Sequence, residues 1–384
     1  MKHMKFPHPP TVRGTPQGLR YQRGSTLVEW MVSITIGLIL LAGLTTLIAQ
    51  QSSTQAELEK SSRQIENGRY AMQILNEDVQ MAGYYGEFSN LAGLAIPGTL
   101  PDPCEVDVAN IEPAMVFPVQ GYDSPGTTSG LLTCINALNH VGGTDILVVR
   151  SVETATLTIA AAASAAGGQV YLQSGLTPTV GLFEKAMGKG ASTSGFTLLT
   201  QAKPAIAAAS GIPATPAIPA GPAPLRKFQV HIYFVSPCSV MSNGSTCGTS
   251  DDGGKPIPTL KRVELSASGN TTTMSTTPLV EGIENMQIDY GIDSIGNDGS
   301  PDGQLLATPV TVEDWADVMA LRVHLLTRNN EASAGYVDPK TYEMGYDSAG
   351  NVQTVTPANA VRSYKRRLFS QLIRVVNPSS RRDQ

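Results

Sequence analysis

A single carboxylate at the start of a long apolar segment is the first residue whose position suggests chemistry. Glu29 is the only charged residue between Arg23 and Glu57. A charged side chain within hydrocarbon costs about 2.5–3.5 kcal/mol on insertion scales, so it requires a partner. The alternative is that Glu29 reaches the polar interface by itself, because it lies just outside the uncharged run. The pattern therefore indicates either a charge-pairing site or an interfacial acid.

A second group of oxygen-bearing side chains lies in a glycine-rich segment late in the chain. Its members are Asp289, Asp293, Asn297, Asp298 and Asp302. Such oxygens can coordinate Ca²⁺, although the spacing lacks the twelfth-position Glu of an EF-hand. Asp, Asn and Gly are also the residues of tight turns. A weak calcium site at Asp293, Asp298 and Asp302 is one hypothesis, and an ordinary turn is the preferred one.

The motifs of common enzymes are absent from the sequence. It contains no HExxH, GxSxG or GxGxxG pattern. His231 and His324 fall at polar-face positions of predicted strands. Gly188-Lys189 resembles part of a phosphate loop, but Gly190 stands where that loop needs a hydroxyl to bind Mg²⁺. These patterns predict that the protein is not an enzyme and has no cofactor apart from the calcium considered above.

Four cysteines form two pairs that are close in sequence, Cys104 with Cys134 and Cys238 with Cys247. Four cysteines allow three pairings, and disulfides form in oxidising compartments. The pairs between sequence neighbours are preferred. A zinc site is disfavoured, because the sequence has neither CxxC spacing nor a nearby histidine cluster.

Basic residues concentrate at the N-terminus. Residues 1–24 contain five Lys or Arg and no acid, so 22 basic and 32 acidic residues remain, a net charge of −10. An acidic body argues against general nucleic-acid binding. Its one basic cluster is Tyr364-Lys365-Arg366-Arg367 with Arg374. Protection of an edge strand from aggregation explains this cluster better than contact with DNA, so no nucleic-acid partner is expected.

The apolar segment has the length of a membrane span. Trp30–Ala49 contains twenty uncharged residues, which as a helix would extend roughly 30 Å. The basic flank predicts that residues 1–24 stay cytoplasmic and that the chain after Gln50 crosses to the far side. Cleavage after Ala49 as a secretory signal is disfavoured, because the −3 position holds the bulky Leu47.

An apolar stripe then continues on a polar helix. Leu58, Ile65, Met72 and Val79 recur every seven residues, with Leu75 and Ala82 offset by three. No proline occurs from Ser25 to Gly83. One helix from the membrane to about Ala82 is therefore expected, with Gly68 as an interruption and Gly83 as its stop.

Strand patterns fill most of the remaining chain. They occur at Asp145–Arg150, Arg226–Val235, Leu260–Leu265, Met286–Tyr290, Val318–Leu326 and Leu368–Val376. Strands that follow one long helix predict an α+β fold in which the helix packs on an antiparallel sheet. Residues 160–168, rich in Ala and Gly, and residues 201–224, rich in Ala and Pro, are expected to form surface loops.

The N-terminal segment resembles the class III signal of type IV pilins and pseudopilins. The resemblance rests on Gly24 followed by Ser25-Thr26-Leu27-Val28-Glu29, with a basic leader before and an apolar helix after. It implies that a prepilin peptidase cuts after Gly24 and methylates the new N-terminus at Ser25, where many members have Phe. It also implies that Glu29 of one subunit meets the N-terminal amine of a neighbour in a filament.

Later stretches are similar to the PilW family of minor pilins. They are GRYAMQILNED with MAGYYG (68–86), LVEGIENMQIDYGID (279–293), WADVMALRVHLLTR (315–328) and YKRRLFSQLIRVVN (364–377). The resemblance implies a cleaved leader (1–24), a transmembrane and filament-core half-helix (25–50), an amphipathic half-helix (51–83) and a globular β-rich periplasmic domain (84–384).

The implied function is that of a minor pilin. Such a protein sits in the inner membrane, primes pilus assembly and enters the pilus near its tip, supporting twitching motility or adhesion. The implied partners are other minor pilins, the major pilin, a tip adhesin and the prepilin peptidase. The alternatives are a pseudopilin of type II secretion, or a periplasmic enzyme or binding domain on an uncleaved anchor.

Overall fold

The computed structural model describes most of the chain. Described are residues 24, 26–88, 91, 94–126, 131–165, 167–176, 183–190, 196, 200–203 and 218–382. The chain divides into two compact units, the first ending at Glu57 and the second beginning at Leu58. Ser25, residues 1–23 of the expected leader and residues 204–217 of the second expected loop lie outside the described residues.

The long helix predicted from the sequence is present. Helix α1 runs for 55 residues from Leu27 to Met81, and neither Gly37 nor Gly43 interrupts it. Its most apolar 18-residue window has a mean hydropathy of 2.3 and none of that window is buried inside the protein, so by length and composition the helix can cross a membrane. Gly83, with a φ of +73°, follows the end of the helix, as expected for a left-handed C-terminal stop.

The second unit contains fourteen strands and four short helices among its described residues. The helices are α2 (Val108–Ile111), α3 (Ile159–Ala163), α4 (Asp251–Gly254) and α5 (Val376–Arg382). The strands are β1 (Val119–Tyr122), β2 (Ile146–Val152), β3 (Val170–Leu176), β4 (Phe183–Lys189), β5 (Thr200–Lys203), β6 (Ile218–Pro222), β7 (Leu225–Ser236), β8 (Thr259–Ser268), β9 (Thr271–Glu281), β10 (Ile283–Ile292), β11 (Val318–Arg328), β12 (Tyr342–Tyr346), β13 (Val352–Val355) and β14 (Arg366–Arg374).

These strands form three antiparallel sheets. The largest follows the order β1-β2-β7-β3-β5-β6, with β4 beside β3 and with β8 and β9 continuing from β7. Strand β7 joins its parts, because its first residues pair with β3 while later ones pair with β2 and β8. A second sheet has the order β10-β11-β14, and β12 pairs with β13. The α+β fold with antiparallel sheets is thus confirmed.

The second half of α1 packs against both larger sheets. Ala71, Met72, Leu75 and Val79 lie in one apolar cluster with residues of β2, β7, β10, β11 and β14. The predicted stripe is buried from Met72 onward; Ile65 is half-buried, and Leu58 is 66% exposed. Gly68 is not an interruption: it is buried in the helix, and its lack of a side chain makes room for β14.

Two expected loops contain regular structure. In the first, Ile159–Ala163 forms α3, because Thr158 caps the helix at the backbone N–H of Ala161 and Ala is the best helix former. In the second, residues 201–203 belong to strand β5 and residues 218–222 form strand β6, which ends the order of the sheet. Proline is tolerated there because a terminal strand leaves half of its N–H groups unpaired anyway.

Candidate functional site

The first turn of α1 is built by a side-chain cap. The backbone N–H of Glu29 donates to the Thr26 hydroxyl oxygen at 3.4 Å, and the N–H of Trp30 donates to the Thr26 carbonyl at 3.2 Å. The spacing T-x-x-E is that of a capping box, a signal that the reading of the sequence missed. Thr26 therefore fixes where the helix begins, and Glu29 lies in its first turn.

Electrostatics favour an acid at this position. The free N–H groups of the first turn carry partial positive charge, which stabilises a nearby carboxylate by about 0.3–1 kcal/mol. That is less than the roughly 2.5–3.5 kcal/mol cost of a charge in hydrocarbon. The helix end alone therefore offsets only part of the cost of a charged Glu29 in hydrocarbon.

An apolar surface follows Glu29 directly. Trp30 is 63% exposed and Ile39 is 71% exposed, and the other large apolar side chains to Ile48 are similarly uncovered. A monomeric soluble protein rarely leaves such an area in water. This half of α1 is therefore suited to lipid or to the helices of other subunits.

Gly24 has no packing role among the described residues. It is exposed, and a Cβ placed there would meet no described atom within 4 Å. Its φ also lies outside the left-handed region. Folding of the described chain therefore does not require glycine at this position.

Comparison with known protein families finds one match near the N-terminus and one in the C-terminal part of the chain. Residues 19–45 match the prokaryotic N-terminal methylation motif, and residues 242–377 match the family model described as Type IV Pilus-assembly protein W. Over these two ranges the chain is similar to a PilW-family type IV pilin. No curated protein and no solved structure matches it.

The PilW match covers one part of the second unit against which α1 packs. It extends from the loop before β8 to the start of α5 and includes the whole of the β10-β11-β14 sheet. Three of the four stretches with PilW resemblance fall inside it, while residues 68–86 lie outside both matched ranges. The PilW match therefore includes the β10-β11-β14 sheet but not the part of α1 that packs on it.

Polar contacts fix the second half of α1 to the two larger sheets and their loops at two positions. Near Gln64, the side-chain amide nitrogen donates to the carbonyls of Thr327 at 2.9 Å and Lys365 at 3.0 Å. Near the C-terminal end of the helix, the Asp78 carboxylate accepts hydrogen bonds from His231 Nδ1 at 2.9 Å and from the Tyr233 hydroxyl at 3.0 Å. His231 is on the polar side of β7 as expected, but α1 covers it, so it is 9% exposed.

His324 is likewise buried in a pair. Its Nε2 lies 3.1 Å from Asp289 Oδ2, and Asp289 Oδ1 accepts the backbone N–H of Tyr346 at 3.0 Å. Gly345 permits this approach, because it has a φ of +84° and a Cβ there would lie 2.5 Å from the carboxylate. Asp289 is thus engaged in linking β10, β11 and β12.

The other proposed calcium ligands stabilise turns. Asp302 accepts the N–H groups of Ser294 and Ile295, and Asp298 accepts that of Ser300. Asp293 is buried, accepts the N–H of Gly299 at 2.9 Å and pairs with Arg382 at 3.2 Å. Its Oδ1 has no partner among the described residues. Calcium binding at Asp293, Asp298 and Asp302 stays a prediction.

Both preferred disulfides are confirmed. Cys104 bonds to Cys134 across 30 residues, and Cys238 bonds to Cys247 across 9. Within the described chain, one group of metal-ligating residues is close enough to share an ion, Cys238, Cys247 and Asp251. Both of its sulfur atoms are oxidised, so they are not available as thiolate ligands.

In the basic cluster at residues 364–367, Arg366 is used inside the protein, whereas Arg367 is exposed. Arg366 is buried and forms ion pairs with Glu284 and Asp338. Arg367 lies over the Phe369 ring, 5.7 Å from its centroid. Strand β14 has a paired neighbour on one side, β11, among the described residues. Arg366, Arg367 and Arg374 therefore lie on an edge strand. Separately, Lys189 of the apparent phosphate loop is the last residue of strand β4.

Proposed function

We propose that this chain is a minor pilin that is incorporated in a type IV pilus and primes its assembly. A peptidase cuts after Gly24, Ser25 becomes the methylated N-terminus, and α1 stays in the inner membrane until assembly. The domain after Gln50 lies in the periplasm and later at the cell surface. Other minor pilins and the major pilin are its neighbours. The role is structural rather than catalytic.

The observation that carries the proposal is the position of Glu29 in the first turn of an otherwise uncharged helix segment. Removal of the leader creates an α-amine at Ser25, close to this turn. An amine from a neighbouring subunit can pair with Glu29, which offsets the cost of the buried charge. Since only one alignment of two helices brings these groups together, the pair would set the register of packing.

The second unit supports a position near the filament tip. It extends from Leu58 to Gln384, and the helix is fixed to it by apolar packing and by the contacts of Gln64 and Asp78. A large domain is difficult to repeat along a closely packed shaft, whereas a subunit at the tip has neighbours on one side only. From that position it can prime assembly and support twitching motility or adhesion.

Analysis of the N-terminus of the membrane-extracted protein tests the processing step. The expected mature chain begins with methylated Ser25, and Gly24→Asp should retain the leader. A mature start at Met1 or Gln50 in the wild-type protein would refute the proposal and favour an anchored periplasmic domain.

Substitution of Glu29 tests the assembly step separately. Glu29→Ala should still be cleaved but should be lost from sheared pili, as detected by immunoblotting. Glu59→Ala is the matched control, because Glu59 is an exposed acid on the same helix. Equal incorporation of the two variants would contradict the role of Glu29. A gene-deletion strain with normal pili would contradict the priming role, and protein found only with a secretion complex would favour the pseudopilin.

A further inference from the structure

A cavity lies between the two disulfide-bonded segments and one face of the large sheet. Its volume is about 340 Å³, at the small end of the range of ligand pockets. Phe234 of β7, Lys261 of β8 and Thr276 of β9 line it on the sheet side. On the other side it is lined by the segment from Cys134 to Asn139 and by the loop that the Cys238–Cys247 disulfide closes.

The walls of this cavity are held in place by specific bonds. The Asn139 side chain donates to the carbonyl of Ser245 at 2.9 Å and accepts the N–H of Cys247 at 2.8 Å. Asp251 accepts the N–H of Ser242, and Asp252 accepts that of Ser239. Two disulfides and these bonds make the cavity a preformed space rather than a gap between mobile loops.

Lys261 is the unusual residue of the cavity. On β8, Val263 and Leu265 face the apolar core, and Lys261 comes two residues before Val263, where a third apolar residue would continue the row. Lys261 is 1% exposed. Its ammonium makes no hydrogen bond or ion pair with any residue that the structure describes. The carboxylates of Asp251 and Asp252 act on it only at longer range.

The Lys261 ammonium lines the cavity without a hydrogen-bond partner among the described residues, so a ligand in the cavity can take that place. Among the described residues that line the cavity, Lys261 is the one charged side chain, so an anionic group is complementary to it. Around it lie the polar side chains of Asn136, Ser245 and Thr276, which suit hydroxyl groups, and the apolar ring of Phe234.

We propose that this cavity binds a small acidic sugar, with its carboxylate on the Lys261 ammonium. The hydroxyls of the sugar face the polar rim and its apolar face lies against Phe234. A free uronic acid and the terminal uronic acid of a surface polysaccharide present the same chemistry. The proposal does not depend on the assembly role of the chain, because binding is measured on the purified protein.

The test is titration calorimetry of the detergent-solubilised full chain with glucuronate, with glucose and acetate as comparison ligands. We expect saturable binding of glucuronate and weaker binding of both comparison ligands. Lys261→Met should weaken glucuronate binding about tenfold to a hundredfold, the range for a hydrogen bond to a charged group. Lys255→Met, a change of an exposed lysine outside the cavity, should bind as the wild type does.

A second pair of variants keeps the test valid if Lys261→Met does not fold. Thr276→Trp should fill the cavity and abolish binding, whereas Thr277→Trp, the next exposed residue of β9, places its side chain on the opposite face and should not. Unchanged binding in Thr276→Trp, or equal affinity for acetate and glucuronate, would overturn the proposal. A glucuronate-ended oligosaccharide that binds as well as the free acid would identify a surface glycan as the source, and binding of the free acid alone would identify the soluble acid.

Discussion

Gly68 of helix α1 lies directly beneath the ring of Phe369 on strand β14. A Cβ at Gly68 would be 2.3 Å from Phe369 Cε2 and 2.7 Å from Cζ, closer than atoms can pack. The glycine therefore sets the distance between the helix and the edge of the β10-β11-β14 sheet. This contact therefore joins helix α1 to β14, the last strand of the chain among the described residues.

Gly68→Ala should lower the free energy of unfolding by about 1–3 kcal/mol, because the added methyl group forces Phe369 or the helix to move. The loss would occur although Ala favours an isolated helix by about 1 kcal/mol over Gly. Chemical denaturation of the detergent-solubilised protein measures it. Gly43→Ala is the matched control, since a Cβ there meets no atom within 4 Å. Equal stability of the two variants would show that the ring adapts freely.

Asp78 should contribute more to helix packing than its neighbour Glu77. Asp78→Ala removes the acceptor of both His231 and Tyr233, so we expect a loss of about 1–3 kcal/mol in the free energy of unfolding. Glu77→Ala changes an exposed residue and should stay within about 0.5 kcal/mol of the wild type. A similar loss in both variants would indicate a general effect of charge on the helix.

The sequence predicted elements better than it predicted their contacts. The period of the apolar residues revealed α1 and six strands, because each pattern reflects local geometry. The partners of His231 and His324 could not be found in this way. Each lies on the polar side of a strand, and only the tertiary fold brings Asp78 or Asp289 to it. Gly68 was misread for the same reason, since its neighbour Phe369 is distant in sequence.

The candidate site was accessible to sequence analysis because it is local. Gly24, Thr26 and Glu29 lie within six residues, and the processing and charge hypotheses need only their spacing. The cavity at Lys261 depends on three strands and two disulfides, so no short motif marks it.

The two disulfides should differ in their contribution to stability. In the chain-entropy description, the bond closing the longer loop constrains the unfolded chain more. Replacing Cys104 and Cys134 by Ser should therefore cost roughly 1 kcal/mol more than replacing Cys238 and Cys247, given separations of 30 and 9 residues. Thermal unfolding of the two double variants measures this difference. The reverse order would show that native contacts of the 238–247 loop dominate.

The acidic turns near Asp302 allow a direct test of the calcium hypothesis. Since Asp302 Oδ2 accepts two backbone N–H groups, Asp302→Ala should lower the melting temperature whether or not calcium is present. If these carboxylates serve only the turns, as we expect, EDTA will leave the melting temperature of the wild type unchanged. A fall with EDTA that added Ca²⁺ reverses would instead establish a calcium site, with Asp293 Oδ1, which has no hydrogen-bond partner among the described residues, as a candidate ligand.

Asp145 should make the protein less stable as the pH rises towards 8. The carboxyl group links the sheets, accepting the N–H groups of Ser124 at 2.8 Å and Ile288 at 2.7 Å. Burial raises its pKa to about 8, and those two N–H groups and the nearby Asp123 and Asp289 modify the value. In the unfolded chain the pKa is about 3.9.

Between these two values the folded state binds more protons than the unfolded state, so this group lowers the free energy of unfolding with rising pH. The slope approaches about 1.4 kcal/mol per pH unit at most. Asp145→Asn should flatten this dependence between pH 5 and pH 8, approximately, while costing about 1–3 kcal/mol because its amide cannot accept both N–H groups. Asp298→Asn controls for the loss of one negative charge at an exposed turn. Denaturation curves across that pH range would contradict the assignment if Asp145→Asn kept the wild-type slope.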